Sequence, residues 1–346
     1  MNLTSLPDYL NARRVIGRYL APTPLAPAAP RLVGRCAQLF TKHENLTPIR
    51  SFKLRGALYR VSLLSEAERE SGVVTSSTGN HGMGIAYAAR EFHTSAVVVV
   101  PENASPLKIE GMKRFGAEIR TIGANLSDAE AAARAIATEE GRVLIVDGDD
   151  LGLMIGAGTI SLEILEALPE TQVLLVPVGG GNLIAGMASC AKLVNPGLEV
   201  IGVQSVAAPC VYESRKDRRA VHVPSRTFAG GLAADQPGNL ALSVVIEFVD
   251  DIVLVTEEQL RRTMVLALTE VGQVLEGAGA AALAALETLS DRLEDKVVVA
   301  LLSGGNAESE QLYEGLLERH RTPDAATRGI PVVPSSPTST GEVTPP

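Results

Sequence analysis

Tryptophan is absent from this chain of 346 residues, and Phe and Tyr together supply only 3% of it. With 46% hydrophobic residues the chain can still bury a large core, which must then be built from Val, Leu, Ile and Ala. Cysteine is scarce too. Cys36, Cys190 and Cys210 lie too far apart for a CxxC metal or redox pair, and their odd number argues against a disulfide framework, so a reducing compartment is expected. Basic runs are missing: 31 Lys and Arg against 40 Asp and Glu leave a formal charge of −9, so nucleic acid is not an expected partner. No apolar run reaches the roughly 18 to 20 residues that span a bilayer. Asp8, Arg13 and Arg14 interrupt the N-terminal stretch where a secretory signal needs continuous apolar sequence. A cytoplasmic protein without a membrane partner is the expectation. His81 has no metal-ligand spacing to His43, His93, His222 or His320, so no metal site is expected either.

What the chain does contain is a series of short runs rich in β-branched residues. They begin at Val73 (VVTSS), Ala96 (AVVVV), Val143 (VLIVDG), Val173 (VLLVPV), Val200 (VIGVQS), Ile252 (IVLV) and Val297 (VVVALLSGG). The runs are continuous rather than alternating, which marks strands covered on both faces. Helical patterns lie between them: LSDAEAAARAIATEE, with Ser127 as its expected N-cap, and EEQLRRTMVLALTEVG, starting after Thr256. This rhythm predicts an α/β fold of open parallel sheets with right-handed crossovers. From Thr322 onward the chain is dense in Pro, Ser and Thr and lacks an amphipathic period, so residues 322–346 read as a disordered tail.

Ligands of such sheets sit at the carboxyl ends of the strands, and here those ends are rich in Gly, Ser and Asn. VPVGGGN leads from strand to helix. Gly179, Gly180 and Gly181 let the chain bend closely round a ligand with several N–H groups converging, and the next helix adds its positive end, an arrangement suited to phosphate. A packing turn is an equal reading of that loop alone. GxGxxG would need glycine where Ile184 stands, and no Gly-Lys-Ser/Thr follows, so dinucleotide and ATP readings lose ground. SSTGNHG places Ser77, Thr78, Gly79, Asn80 and His81 at a helix start, where unpaired N–H groups suit a carboxylate; a capped helix is the plain alternative. LLSGGN, through Ser303 to Asn306, is a third such loop and alone only a turn. Lys53 stands between Phe52 and Leu54, and most lysines are simply solvated. A lysine beside an apolar wall and an anion site is, however, suited to Schiff-base chemistry. An amine, a phosphate cradle, a carboxylate loop and a small polar group together match pyridoxal 5′-phosphate.

These residues resemble the fold-type II pyridoxal-phosphate enzymes, the tryptophan-synthase-β-like fold, and within them the threonine dehydratase and serine racemase group. The resemblance runs from Thr23-Pro24-Leu25 to Asn306 with motifs in family order: Lys42 with Glu44 to Leu46, Ser51 to Ala57, Ser77 with Gly79 to Gly82, Gly179 to Gly181, and Ser303 to Asn306. The stretch from Gly272, GQVLEGAGAAALAAL, also looks like the family's helix before its last strand. The resemblance implies that Lys53, beside Phe52, forms the Schiff base with the cofactor. It further implies that the Ser77 to His81 loop binds the substrate carboxylate, that Asn80 meets the cofactor's ring oxygen, and that Ser303 faces the pyridine nitrogen. Two open parallel-sheet domains with the active site in their cleft are implied as well: residues 1–47 plus 148–321 form the larger, cofactor-binding one, and residues 48–147 a smaller inserted one. A homodimer is the family's usual assembly.

Departures from the family pattern refine the expectation. Asn182 replaces a fourth glycine and adds an amide that can touch phosphate, while Ala157 stands where Gln is common. Gly230 replaces an Asp of a cation-binding stretch. Thr78 offers a hydroxyl that can donate a proton to the far face of a bound amino acid, which makes it a catalytic candidate beside Lys53. No regulatory domain is expected after residue 320. The activity implied is elimination of water from L-threonine and L-serine, giving 2-oxobutanoate or pyruvate and ammonia. The alternatives are an amino-acid racemase, an ammonia-lyase for threo-3-hydroxyaspartate or an osmolyte-derived hydroxy amino acid, and a non-catalytic phosphometabolite binder. Intact Lys53 and Ser303 speak against the last.

Overall fold

The computed structural model describes residues 3–321; the tail from Thr322 lies outside the described residues. Its strands are β1 (Leu25–Pro27), β2 (Gln38–His43), β3 (Val73–Ser76), β4 (Ala96–Val100), β5 (Glu118–Thr121), β6 (Val143–Leu144), β7 (Val173–Pro177), β8 (Glu199–Ser205), β9 (Asp251–Val255) and β10 (Val297–Leu302). They form two sheets, one in the order β1-β2-β10-β7-β8-β9 and one in the order β5-β4-β3-β6. Every pairing is parallel except that of β1 with β2. The apolar runs behave as their composition requires: β3, β4 and β7 are buried along their whole length, with helices over their faces.

Three features differ from the sequence expectation. VLIVDG pairs only over Val143 and Leu144. The helix Leu126–Glu140 is capped by Asn125, whose side chain accepts from the Asp128 N–H at 3.0 Å, so Ser127 already lies inside the first turn. The larger sheet carries β1 as an antiparallel edge, so it is not wholly parallel. Thr256 does start its helix, through a capping box with Gln259.

The helix Leu151–Ala167 is the hinge pin of the architecture. Every residue from Gly152 to Leu165 is buried, because this helix packs against both Lys53–Ser62 and Asn182–Val194. Glycines permit that closeness: a Cβ on Gly56 would lie 2.7 Å from the Leu153 carbonyl oxygen, and one on Gly156 would lie 2.6 Å from that of Arg55. The helix that begins at Lys53 is thereby held in fixed register with the helix that follows the three-glycine loop. No helix among the described residues is long and apolar enough to cross a membrane.

Candidate active site

β2, β10 and β7 are adjacent and parallel, so the segments that follow them emerge side by side at one edge. Backbone bonds stitch two of these segments together. The Phe52 N–H donates to the Ser303 carbonyl oxygen at 3.0 Å, Gly305 N–H donates to Arg50 O at 2.9 Å, and Ser51 forms an antiparallel bridge with Gly304. Asn306 adds a side-chain bond to the Ile49 carbonyl at 2.8 Å. Lys53 is therefore fixed beside Ser303. The Ser303 hydroxyl is buried and donates to Ala278 O at 3.3 Å, which keeps a neutral polar group at this edge.

Lys53 opens its helix with a side chain 21% exposed, and its ammonium lies 5.3 Å from the centre of the Phe52 ring. It is ion-paired with Asp147, which follows β6. Asp147 lies among many protein atoms yet keeps an open path to solvent, with 39% of its side chain accessible. Burial raises its pKa, but the Lys53 ammonium, helped by a hydrogen bond from Asn182, outweighs that and holds the carboxyl down at about 2. A small cavity bounded by Phe52, Lys53, Gly56, His81, Asp147, Leu153, Ala157 and Asn182 brings these groups together.

The loop after β3 brings the second sheet to the same place. Ser77 turns its hydroxyl oxygen onto the N–H groups of Gly79 (3.1 Å) and Gly82 (2.9 Å), shaping the turn into the helix Asn80–Glu91. Thr78 is exposed. Gly79 lies under the Lys108 side chain, where a Cβ would be 3.2 Å from Lys108 Cδ. Asn80 donates to Glu276 Oε1 at 2.7 Å and accepts from Asn306 at 2.9 Å, tying the two sheets' loops to each other. His81 points inward: its Nε2 meets Thr75 Oγ1 at 3.0 Å, and burial lowers its pKa, so it stays neutral. Glu276, which sequence reasoning passed over, is the buried N-cap of the helix Gly277–Thr288, and burial raises its pKa. Its signal was present in the LEGAG stretch, but an acid before an alanine-rich helix is also what any helix start favours.

The three-glycine loop has the form of an anion cradle. Gly181 adopts φ 103°, a conformation that L side chains rarely take, and a Cβ on Gly179 would fall 2.5 Å from the Gly231 carbonyl oxygen. Beside Gly180 there is room, since the nearest atom to a Cβ there is Ala234 Cβ at 3.9 Å. The 13-residue helix from Asn182 presents its free N–H groups at the end of the loop. Asn182 is buried, and its Oδ1 has no hydrogen-bond partner.

Lys42 and Arg55 are fully buried. Arg55 bonds both oxygens of Glu44 (2.8 Å each) and both of Glu163 (2.6 and 2.8 Å), while Lys42 reaches Glu163 at 2.6 Å and the Thr23 carbonyl at 2.7 Å. This neutral quartet clamps the start of the Lys53 helix from behind. A larger cavity, of about 560 Å³, opens beside it among Leu10, Arg13, Arg14, Arg18 and Pro22, and reaches none of the loops described above.

An amine at a sheet edge, a glycine turn with the form of an anion cradle after β7, a neutral hydroxyl after the intervening β10 and a helix-start loop from a second sheet suit an enzyme built on a phosphorylated carbonyl cofactor. The donor set fits that group: a primary amine to bond its carbonyl carbon, and a glycine turn with free N–H groups for its phosphate. The chain belongs to the pyridoxal-phosphate dependent enzyme family, whose model matches residues 16–304. It is 37% identical to the L-threonine ammonia-lyase of Thermotoga maritima over 307 residues, covering 88% of this chain and 76% of that one. Among solved structures it superposes on threonine deaminase isoform 2 of Solanum lycopersicum with a TM-score of 0.85 at 30% identity, covering 90% of this chain and 92% of that one. It superposes on the serine racemase of Dictyostelium discoideum with a TM-score of 0.83 at 32% identity, covering 88% and 99%.

Proposed function

We propose that this protein is a pyridoxal-phosphate dependent ammonia-lyase that removes water from L-threonine, and from L-serine, to release 2-oxobutanoate or pyruvate with ammonia. The observation that carries the reading is the fixed neighbourhood of Lys53 and Ser303, held by the Phe52 N–H to Ser303 O bond after β10, whose neighbour β7 leads into the glycine turn. The threonine-specific names of the relatives at 30% identity or more support the substrate.

In this reading Lys53 anchors the cofactor, Gly179, Gly180, Gly181 and Asn182 hold its phosphate, Asn80 and Ser303 flank its ring, and Phe52 packs beside the anchor. The cofactor supplies an electron sink for the pair left behind at Cα. Everything else is done by the chain. The N–H groups of Asn80 and His81, in the first turn of their helix, take the substrate carboxylate, while those of Ser77 and Gly79 are held by Val99 O and Ser77 Oγ and shape the turn. As a free amine, the Lys53 Nζ would remove the Cα proton and could return it to the departing β-hydroxyl as water forms. Ser303, carrying no charge, would place no cation or anion against the ring, which would favour prompt loss of the β-substituent. Hydrolysis of the released enamine then gives the oxo acid and ammonia.

Exposed Thr78 favours one subsidiary activity: a hydroxyl on the far face can return the proton to Cα from that side, giving some D-isomer. A homodimer acting in the cytoplasm is the assembly and compartment that accompany the proposal, and light scattering on the purified protein tests the first. The central experiment supplies the purified, cofactor-loaded protein with L-threonine, L-serine and L-threo-3-hydroxyaspartate, and assays oxo acid and D-isomer. Oxo acid from threonine is the expected result; none from any of the three defeats the proposal. Lys53→Ala should abolish turnover and the cofactor's Schiff-base absorption band together, and retention of both would refute the assignment of the anchor.

A further inference from the structure

One carboxylate in the cleft has no place in threonine chemistry. Asp147 leaves β6 beside the loop that leaves β3, because Val74 pairs with Leu144 and each chain then runs three residues to Ser77 and Asp147. It therefore faces the same cleft as the Ser77 to His81 turn. Its neighbours in sequence are both occupied. Asp149 accepts from the Leu240 N–H at 2.7 Å, and Asp150 both binds Arg60 (2.6 Å) and caps Leu153 N–H (3.0 Å). Among the described residues Asp147 has no backbone or guanidinium partner: its one ion pair is with the Lys53 ammonium, and the Asn182 amide adds a neutral hydrogen bond. That charge partner is lost during turnover, since Lys53 must be uncharged to remove a proton, and the 39% accessible carboxyl is then left without a cation.

A second acceptor lines the same cavity. Asn182 is buried to more than nine-tenths, and its Oδ1 lacks any hydrogen-bond partner. Gly56 and Ala157, both small, border the same space. A methyl group, the side-chain terminus of threonine, answers neither the anion nor the unpaired oxygen. An ammonium answers both, offering three N–H donors and the compensating charge.

We infer that Asp147 is a specificity-determining residue that selects a 3-hydroxy amino acid bearing a second ammonium on its side chain. The inference rests on the dehydratase reading and narrows its substrate class. The reaction keeps its form: 2,4-diamino-3-hydroxybutanoate loses the Cα proton and the β-hydroxyl as water, and hydrolysis of the enamine yields 4-amino-2-oxobutanoate and ammonia.

The test compares kcat/KM for 2,4-diamino-3-hydroxybutanoate and L-threonine in the cofactor-loaded wild type and in Asp147→Asn. Calorimetry with L-2,4-diaminobutanoate and L-2-aminobutanoate, which have no hydroxyl to lose, accompanies it. The wild type should favour the diamino substrate at least tenfold and bind the diamino ligand at least tenfold more tightly; Asp147→Asn should shrink both ratios by about tenfold. Equal ratios in the wild type, or ratios that Asp147→Asn leaves unchanged, overturn the inference. Absence of oxo acid from every hydroxy amino acid instead defeats the dehydratase reading. Calorimetry on the wild type and on Asp147→Asn then still decides the role of Asp147, because it needs no turnover.

Discussion

Replacing Glu163 by Gln removes one of the two anions that neutralise Lys42 and Arg55. The side chains of Lys42, Arg55, Glu44 and Glu163 are 1%, 1%, 0% and 7% exposed, so solvent compensates the missing charge poorly, reaching it only from the cavity that Arg55 and Glu163 border. Gln keeps the size and one oxygen, but its amide group turns two N–H donors toward a guanidinium and an ammonium that are themselves only donors. Breaking a buried pair in this way costs about 3–5 kcal/mol. With an unfolding entropy near 2.1 cal/mol/K per residue over about 320 ordered residues, that corresponds to a Tm lower by about 4–7 °C. Glu166→Gln, on the same helix, is the control: its ion pair with Arg13 is between side chains 52% and 39% exposed, and such pairs contribute about 1 kcal/mol at most. Scanning calorimetry at pH 7 with saturating cofactor holds ligand stabilisation constant between variants. Burial raises the Glu163 pKa, but Arg55 and Lys42 outweigh it and leave the carboxyl below its usual range. Its contribution is therefore complete above the unfolded glutamate pKa of about 4.3 and is lost as pH falls through the lower native value. The Tm gap between wild type and Glu163→Gln should be full at pH 7 and close below about pH 4. A Glu163→Gln protein that melts within about 1 °C of wild type at pH 7, or no lower than Glu166→Gln, would refute the reasoning.

Asn125→Ala should cost about 1 kcal/mol while Ser127→Ala costs a few tenths, because only Asn125 caps the helix; chemical denaturation of the two variants separates them. Gly181→Ala forces a side chain into φ 103° with its Cβ 3.3 Å from Ala241 Cβ, so about 1–2 kcal/mol of stability and much of the affinity for pyridoxal phosphate should go, the latter read by fluorescence titration. Neutral, buried His81 has a native pKa below its unfolded value near 6.5, so the unfolded chain takes up a proton that the native one refuses. Stability from this group is present above that pH and falls away below it, and Tm should drop more between pH 8 and pH 5 in wild type than in His81→Gln.

Runs such as AVVVV and VVVALL announce their strands because a strand covered on both faces has no room for polar side chains. The strands that sequence reasoning overlooked are those whose surroundings relax this rule. β2, QLFTKH, carries Lys42 and His43 into the interior, where the ammonium meets Glu163 and the uncharged imidazole meets Thr41 Oγ1; β5, EIRT, lies at a sheet edge with its charges in water; and β1 is a short antiparallel flank. The misplaced cap has a similar local cause. Asn125 and Ser127 are both good N-caps, and only the Asn125 side chain reaches an N–H of the first turn.

The polar loops of the site can be read without a structure because each is specified locally: a strand ends, glycines follow, a helix begins. Asp147 obeys the same rule, standing just beyond a strand, but a strand of two residues gives too weak a signal to draw attention to its end. Arg55 and Lys42 obey no local rule at all. Their shared partner Glu163 lies 108 and 121 residues further along the chain, and whether a charge is buried depends on whether such a partner arrives. Arg55 is two residues beyond Lys53 on the same helix, so the quartet that stabilises the fold also fixes the angle at which the lysine leaves its first turn. A substitution in the quartet should therefore be felt at the cofactor site even where the protein still folds, which makes these four charges part of the reason that the amine, the cradle and Ser303 stay in register.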